Sequence, residues 1–238
     1  MLEKLNALHY PGKIYLVIVL SVATLLSLIS VYNIQTPEGS RPYLFIFWDT
    51  FLAWVPVGFA VMLDVLFSYT RKRVRALLLI IVGAAWLFFY PNAPYLVTDL
   101  LHVFARYSLD PTKRFWSDIA FWQHLFTIFT IAMLGLLLGA YSLFSVQHLM
   151  RISFGVMASW IFAILVLLLS SFGIYIGRFI RWNSWDVIMR PGHILQELIV
   201  MFTDRSKLYH IVSFCKFMFM VLLISYVLIY VITKVRKV

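Results

Sequence analysis

Charge is what this chain has least of. Only 13% of its 238 residues are Asp, Glu, Lys or Arg, about half the share of a soluble domain, and that deficit excludes an ordinary soluble core. Acids are the scarcer sign, ten against twenty bases, for a net charge of +10. Cysteine is nearly absent. Cys215 stands alone, so neither an intramolecular disulfide nor a cluster of thiolate metal ligands can form. It lies in an apolar run and reads as a small buried hydrophobe. There is no H-E-x-x-H, G-x-S-x-G, Walker loop or G-x-G-x-x-G, which removes the metalloprotease, serine-hydrolase, P-loop and dinucleotide readings. No A-x-A cleavage site follows the first apolar run, 14–32, so that run is expected to stay as a span rather than leave as a signal peptide.

Hydrophobicity is what remains: 63% of residues are hydrophobic and the mean hydropathy is +0.91. Several apolar runs reach the ~20 residues that cross the ~30 Å of hydrocarbon. The expectation is an all-α polytopic bundle, a single integral membrane domain over 1–238 with the lipid bilayer as its surroundings. Six transmembrane helices are predicted near 14–32, 43–69, 74–89, 117–146, 152–180 and 208–233, with the fourth and fifth linked through Gln147, His148 and Arg151. Bases flank spans, and no basic groove with interleaved aromatics exists outside them, so nucleic acid is not an expected partner. The cluster Arg71, Lys72, Arg73 and Arg75 and the tail Lys234, Arg236 and Lys237 abut span ends. The positive-inside rule then predicts both termini in the cytoplasm. Asp64, near the inner end of its span, is expected to pair with Arg71 or Arg73.

Between two apolar runs lies YPNAPYLVTDLLHVFAR, residues 90–106. Pro91 and Pro94 forbid a smooth continuation of the third span, and Asn92 is placed to cap a new helix beginning near Pro94. In that helix Tyr95, Thr98 or Asp99, His102 and Arg106 recur every three to four residues and share a face. A short amphipathic helix, in-plane or re-entrant, follows. Two readings are open for Asp99 and His102. They form a catalytic acid/base pair, or two ligands of a hard or borderline metal, though without a third ligand no metal site is assigned. Otherwise Asp99 orients a structural His102 or pairs with Arg106.

A second polar stretch, SSFGIYIGRFIRWNSWD, spans 170–186. Gly173 and Gly177 permit close helix approach, and Trp182 and Trp185 suit the interfacial belt. Arg178 and Arg181 suit bidentate contact with phosphate, with Asn183, Trp185 and Asp186 beside them. The competing reading is snorkelling arginines paired with Asp49, Asp99 or Asp186. Gly135 and Gly139 read as helix packing, and 194–202 as a short interfacial amphipathic helix. His124 reads as hydrogen-bonded structure. His9, His148, His193 and His210 carry no constellation.

The motifs at 86–102 (WLFFYPNAPYLVTDLLH) and 172–186 (FGIYIGRFIRWNSWD), with FLAWVP at 51–56, resemble a family of bacterial integral membrane proteins defined by a domain of unknown function. The resemblance covers nearly the whole chain from the second span on. It implies a multi-pass protein of the bacterial plasma membrane and supplies no activity or cofactor.

Together these residues predict an outward-facing polar pocket. Asp99 and His102 would transfer protons there, and Asn92, Tyr95, Thr98, Arg178, Arg181, Asn183, Trp185 and Asp186 would line it. The leading function is binding, with processing or translocation, of an anionic lipid or lipid-linked precursor. A non-catalytic envelope assembly subunit and a small-solute or ion transporter are the alternatives.

Overall fold

The computed structural model describes residues 10–36, 39–68, 72–106, 117–181, 189 and 191–235. Every described element is helical. Helix α1 is Gly12–Asn33, α2 is Phe45–Ser68 and α3 is Lys72–Phe89. A short α4, Asn92–Tyr95, a 3-10 turn, Leu96–Leu100, and α5, Leu101–Arg106, follow. Helix α6, Ile119–Tyr175, runs into a π-helical turn, Ile176–Ile180. Helices α7, Pro191–Thr203, and α8, Arg205–Val235, complete the chain.

Five helical stretches among the described residues are long and apolar enough to cross a membrane. The longest, Ile119–Ile180, has 62 residues. Straight, it would extend ~90 Å, three times the ~30 Å hydrocarbon thickness. It is not straight. Gly155 takes φ 86° and ψ 177°, a conformation that a residue without Cβ adopts readily. The Gln147 side-chain amide donates to the Ser159 carbonyl at 3.3 Å, whereas twelve residues of straight helix would hold them ~18 Å apart. The chain therefore folds back at Gly155, so the described residues hold five helices long and apolar enough to cross a membrane, or six when this stretch is divided there. The reversal lies beyond the expected link. Gln147, His148 and Arg151 are polar but stay helical, because a polar residue does not break a helix and a left-handed glycine does.

The chain divides into two compact units, Met1–Trp160 and Ile161–Val238. In the first, α2 packs on α3 and α4. The core joins Ile46, Ala53 and Val57 of α2 to Ala93, Leu96 and Val103, and to Ile128, Ile131 and Leu138 of α6. Lipid tails are as apolar as these side chains, so close packing and polar contacts, rather than the hydrophobic effect, decide which helices associate. The packing is closest at α4. A Cβ on Gly135 would collide with the Ala93 carbonyl oxygen and lie 2.8 Å from the Leu96 Cβ. One on Gly139 would lie 3.3 Å from the Pro94 Cδ. These two glycines are the helix-packing surface their spacing suggested.

Polar ties reinforce that packing. The Trp86 indole N–H donates to the Ser142 hydroxyl at 2.7 Å, and Ser142 donates to the Pro56 carbonyl at 2.9 Å. This relay links α3, α6 and α2. Helix α1 buries only a narrow stripe, Lys13, Leu20, Thr24, Ser27 and Val31, at the 3.5-residue period of a helix seam. The Trp54 indole N–H donates to Thr24 in that stripe at 3.2 Å.

The second unit has a small core of Tyr175, Met201 and Ile211, flanked by Phe172, Ile180, Phe214 and Cys215. Helix α7 covers the stretch read as a short amphipathic helix.

Candidate functional site

The chain after α3 keeps helical dihedrals instead of stopping. Pro91 sits at φ −59° and ψ −23°, and the Tyr95 N–H donates to its carbonyl at 3.0 Å. Pro94 has no N–H to offer the Tyr90 carbonyl, and the Ala93 N–H takes that acceptor at 3.3 Å. Asn92 does not cap the new helix. Its side-chain amide donates to the Phe89 carbonyl at 2.9 Å, closing the end of α3. The Thr98 hydroxyl turns back to the Tyr95 carbonyl at 2.8 Å. Two of the predicted ligand residues are thus engaged with backbone.

The tight 3-10 turn then carries Asp99 into the core and leaves His102 at its edge. Asp99 is 1% exposed, while the His102 side chain is 26% exposed. The His102 Nε2 lies 3.6 Å from the Asp99 Oδ1, within ion-pair reach though beyond a good hydrogen bond. The edge of Phe45 packs on the His102 ring at 4.6 Å between centroids. The Tyr43 hydroxyl and the His124 Nδ1 share a hydrogen bond of 3.0 Å, the structural role read for His124. The arrangement is a buried carboxylate backing a partly accessible imidazole, which can hold and deliver a proton. Tyr95 is half-buried. The Arg106 side chain lies outside the described residues. No group of three His, Cys, Asp or Glu among the described residues converges as metal ligands do.

Arg178 and Arg181 belong to the second unit. Arg178 is half-buried within the π-turn, and Arg181, exposed at φ 61° and ψ 37°, ends it. The Arg181 N–H closes the turn on the Ile176 carbonyl at 2.9 Å. Left-handed geometry is costly for a residue with a Cβ, and π-turns collect at functional positions. His210, read as carrying no constellation, is tied in here. Its Nδ1 and the Tyr175 hydroxyl are 3.1 Å apart, and Phe179 meets its ring edge-on at 4.9 Å. That contact brings the first turns of α8, with exposed Arg205, Lys207 and His210, to the end of the unit that carries Arg178 and Arg181. Asn183, Trp185 and Asp186 lie outside the described residues.

A third polar cluster, in the first unit, went unread in the sequence. The Lys13 ammonium lies 2.5 Å from the Asp64 Oδ2 and 2.6 Å from the Ser145 hydroxyl, which itself donates to Oδ2 at 2.7 Å. The Tyr10 hydroxyl donates to the same oxygen at 3.4 Å. Burial, with the Asp64 charge next, pushes the Tyr10 phenol up to about 12, so it remains a donor at any physiological pH. Asp64 thus pairs with Lys13; the side chains of Arg71 and Arg73, its expected partners, lie outside the described residues. The signal was one lysine and one aspartate at span ends, 51 positions apart.

The fold and its polar interior define a multi-pass α-helical membrane protein. A family model described as protein of unknown function (DUF1361) matches residues 48–226. The chain belongs to that family. No curated protein and no solved structure matches it.

Proposed function

We propose that this is a multi-pass protein of a bacterial plasma membrane, both termini cytoplasmic, that binds an anionic lipid or lipid-linked precursor through its phosphate. The observation that carries this is the end of the second unit. A π-turn closed by left-handed Arg181 presents Arg178 and Arg181, and the Tyr175–His210 contact sets Arg205 and Lys207 at the same end. Guanidinium groups grip phosphate oxygens bidentately, and a cluster at a span boundary meets headgroups at their own depth. On the proposed topology this end faces outward. The experiment is native mass spectrometry of the protein released from nanodiscs holding equal phosphatidylglycerol and phosphatidylcholine. The wild type should retain phosphatidylglycerol, and Arg178→Ala/Arg181→Ala should lose about tenfold of that preference, ~1.4 kcal/mol. Equal retention of both lipids by the wild type overturns the reading.

A second role, proton transfer at the Asp99–His102 pair, is favoured by the burial of the carboxylate behind a more accessible imidazole.

A further inference from the structure

The Asp64 cluster takes no part in the lipid reading, yet it buries a charged pair in the first unit. A charged group at bilayer depth costs several kcal/mol unless compensated. Asp64 is 0% exposed and Lys13 5%. All of the donors named above converge on a single oxygen, Oδ2. The other, Oδ1, is buried with no hydrogen-bond partner among the described residues. A carboxylate with one oxygen saturated and one open has room for one more small electrophile. A metal cation would need several further ligands, and no group of three His, Cys, Asp or Glu among the described residues converges as metal ligands do. A proton needs only the one open oxygen.

We propose that Asp64 is a proton-binding site inside the membrane domain, and that loading it releases α1 from the rest of the unit. A hydronium ion supplies the proton: one of its O–H bonds breaks, leaving water, as the new O–H bond forms on the open Oδ1. The carboxyl is then neutral, and the Lys13 ammonium is left buried without its counter-charge, a state that costs several kcal/mol. Lys13 is the second residue of α1, so a short outward movement returns its head to the interface. Asp64 sits within α2, four residues before its end, and has no such exit.

Beyond this pair, α1 is held by the Trp54–Thr24 hydrogen bond and by Leu20 and Val31 in the core. Three of the five residues in its buried stripe, Lys13, Thr24 and Ser27, are polar. Its other faces carry exposed Tyr15, Val19, Val22 and Leu26, which are as content in lipid as against protein. Among the described residues, the titratable and charged groups facing Asp64 are Tyr10 and Lys13 from the α1 side and Tyr141, one turn before Ser145 on α6. Arg75 of α3 lies beyond, 5.9 Å over the Phe67 ring. Tyr10 keeps its proton at every pH of interest, so the switch lies in the Lys13–Asp64 pair. Docking requires the ionised carboxylate, so α1 is docked while Asp64 is charged and released once the proton is bound.

The test is a spin-label distance between Val19→Cys on α1 and Met62→Cys on α2, in a Cys215→Ser background, in nanodiscs from about pH 8 to about pH 4. The wild-type pair should give one short distance at the alkaline end and a longer, broader population at the acid end. Asp64→Asn should show the longer population at every pH. Lys13→Met/Asp64→Leu removes both charges and should keep the short distance throughout, which also shows that the fold survives the loss of the pair. A short distance at every pH in the wild type, or in Asp64→Asn, overturns the proposal.

Discussion

Asp64 and Asp99, 0% and 1% exposed, meet the cost of a buried carboxylate in different ways. Asp64 has a full ion pair, two hydroxyl donors and no nearby exit. Asp99 has an imidazole at 3.6 Å whose own side chain is 26% exposed. The first arrangement keeps the carboxylate charged until a proton reaches its open oxygen; the second can pass a proton on through the more accessible imidazole. General acid–base catalysis, the role proposed for the Asp99–His102 pair, contributes about 10²–10⁴-fold. His102→Ala should therefore slow turnover of a lipid-linked substrate about 10²-fold or more. Asp99→Asn should slow it less, because the imidazole remains. The measurement is a pulse-chase of membrane lipids in cells lacking the chain, resupplied with each variant at matched level. Equal clearance by wild type and His102→Ala leaves the pair a structural one.

At the scale of elements, three glycines do three different things, and alanine separates them. At Gly135 the obstacle is the Ala93 carbonyl and the Leu96 Cβ. Backbone cannot yield, so α6 must shift off α4, at the ~1–3 kcal/mol of an overpacked core. At Gly139 the neighbour is the Pro94 Cδ at 3.3 Å, and a few tenths of an ångström suffice. Gly155 meets nothing within 4 Å, so its cost is conformational alone, about 1–3 kcal/mol for a side chain at that φ and ψ. Unfolding in mixed micelles should rank Gly135→Ala as clearly more damaging than Gly139→Ala. Gly155→Ala should loosen the Gln147–Ser159 hairpin without disturbing α4.

The same elements show what the sequence could carry. Span positions were legible because about 20 apolar residues in a row have one physical explanation in a chain this hydrophobic. The α4 packing face was legible because Gly135 and Gly139 recur at one helical turn. The reversal was not: polarity at Gln147, His148 and Arg151 outweighed a lone glycine four residues on, although only the glycine can take the bend. Asp99 and His102 were legible as a local pair three residues apart. Lys13 with Asp64, and Tyr175 with His210, were not, because each pair is set by packing between helices distant in sequence. A lysine at a span end also looks the same whether it faces water or a buried carboxylate.

That last ambiguity reaches the whole molecule, through its orientation. The positive-inside rule counts bases that water and the membrane potential can act on. Lys13 is 5% exposed and neutralised by Asp64, so it drops out of that count. Orientation with both termini inside then rests on the Arg71–Arg75 cluster and on Lys234, Arg236 and Lys237. It places the α1–α2 loop outside and the Gly155 reversal inside. The chain has a single cysteine, so Cys215→Ser gives a clean background for cysteine scanning. Ser40, exposed in the α1–α2 loop, and Ser153, exposed beside the reversal, are the reporters. In intact cells an impermeant maleimide should label Ser40→Cys and spare Ser153→Cys until the membrane is opened. The opposite pattern would put the basic end of the second unit on the cytoplasmic side and move any lipid phosphate it holds to the inner leaflet. Labelling should also survive Lys13→Met/Asp64→Leu unchanged, because a lysine already neutralised in the fold contributes nothing to the final orientation. Inversion in that variant alone would mean that Lys13 acts as a free charge during insertion, before it meets Asp64.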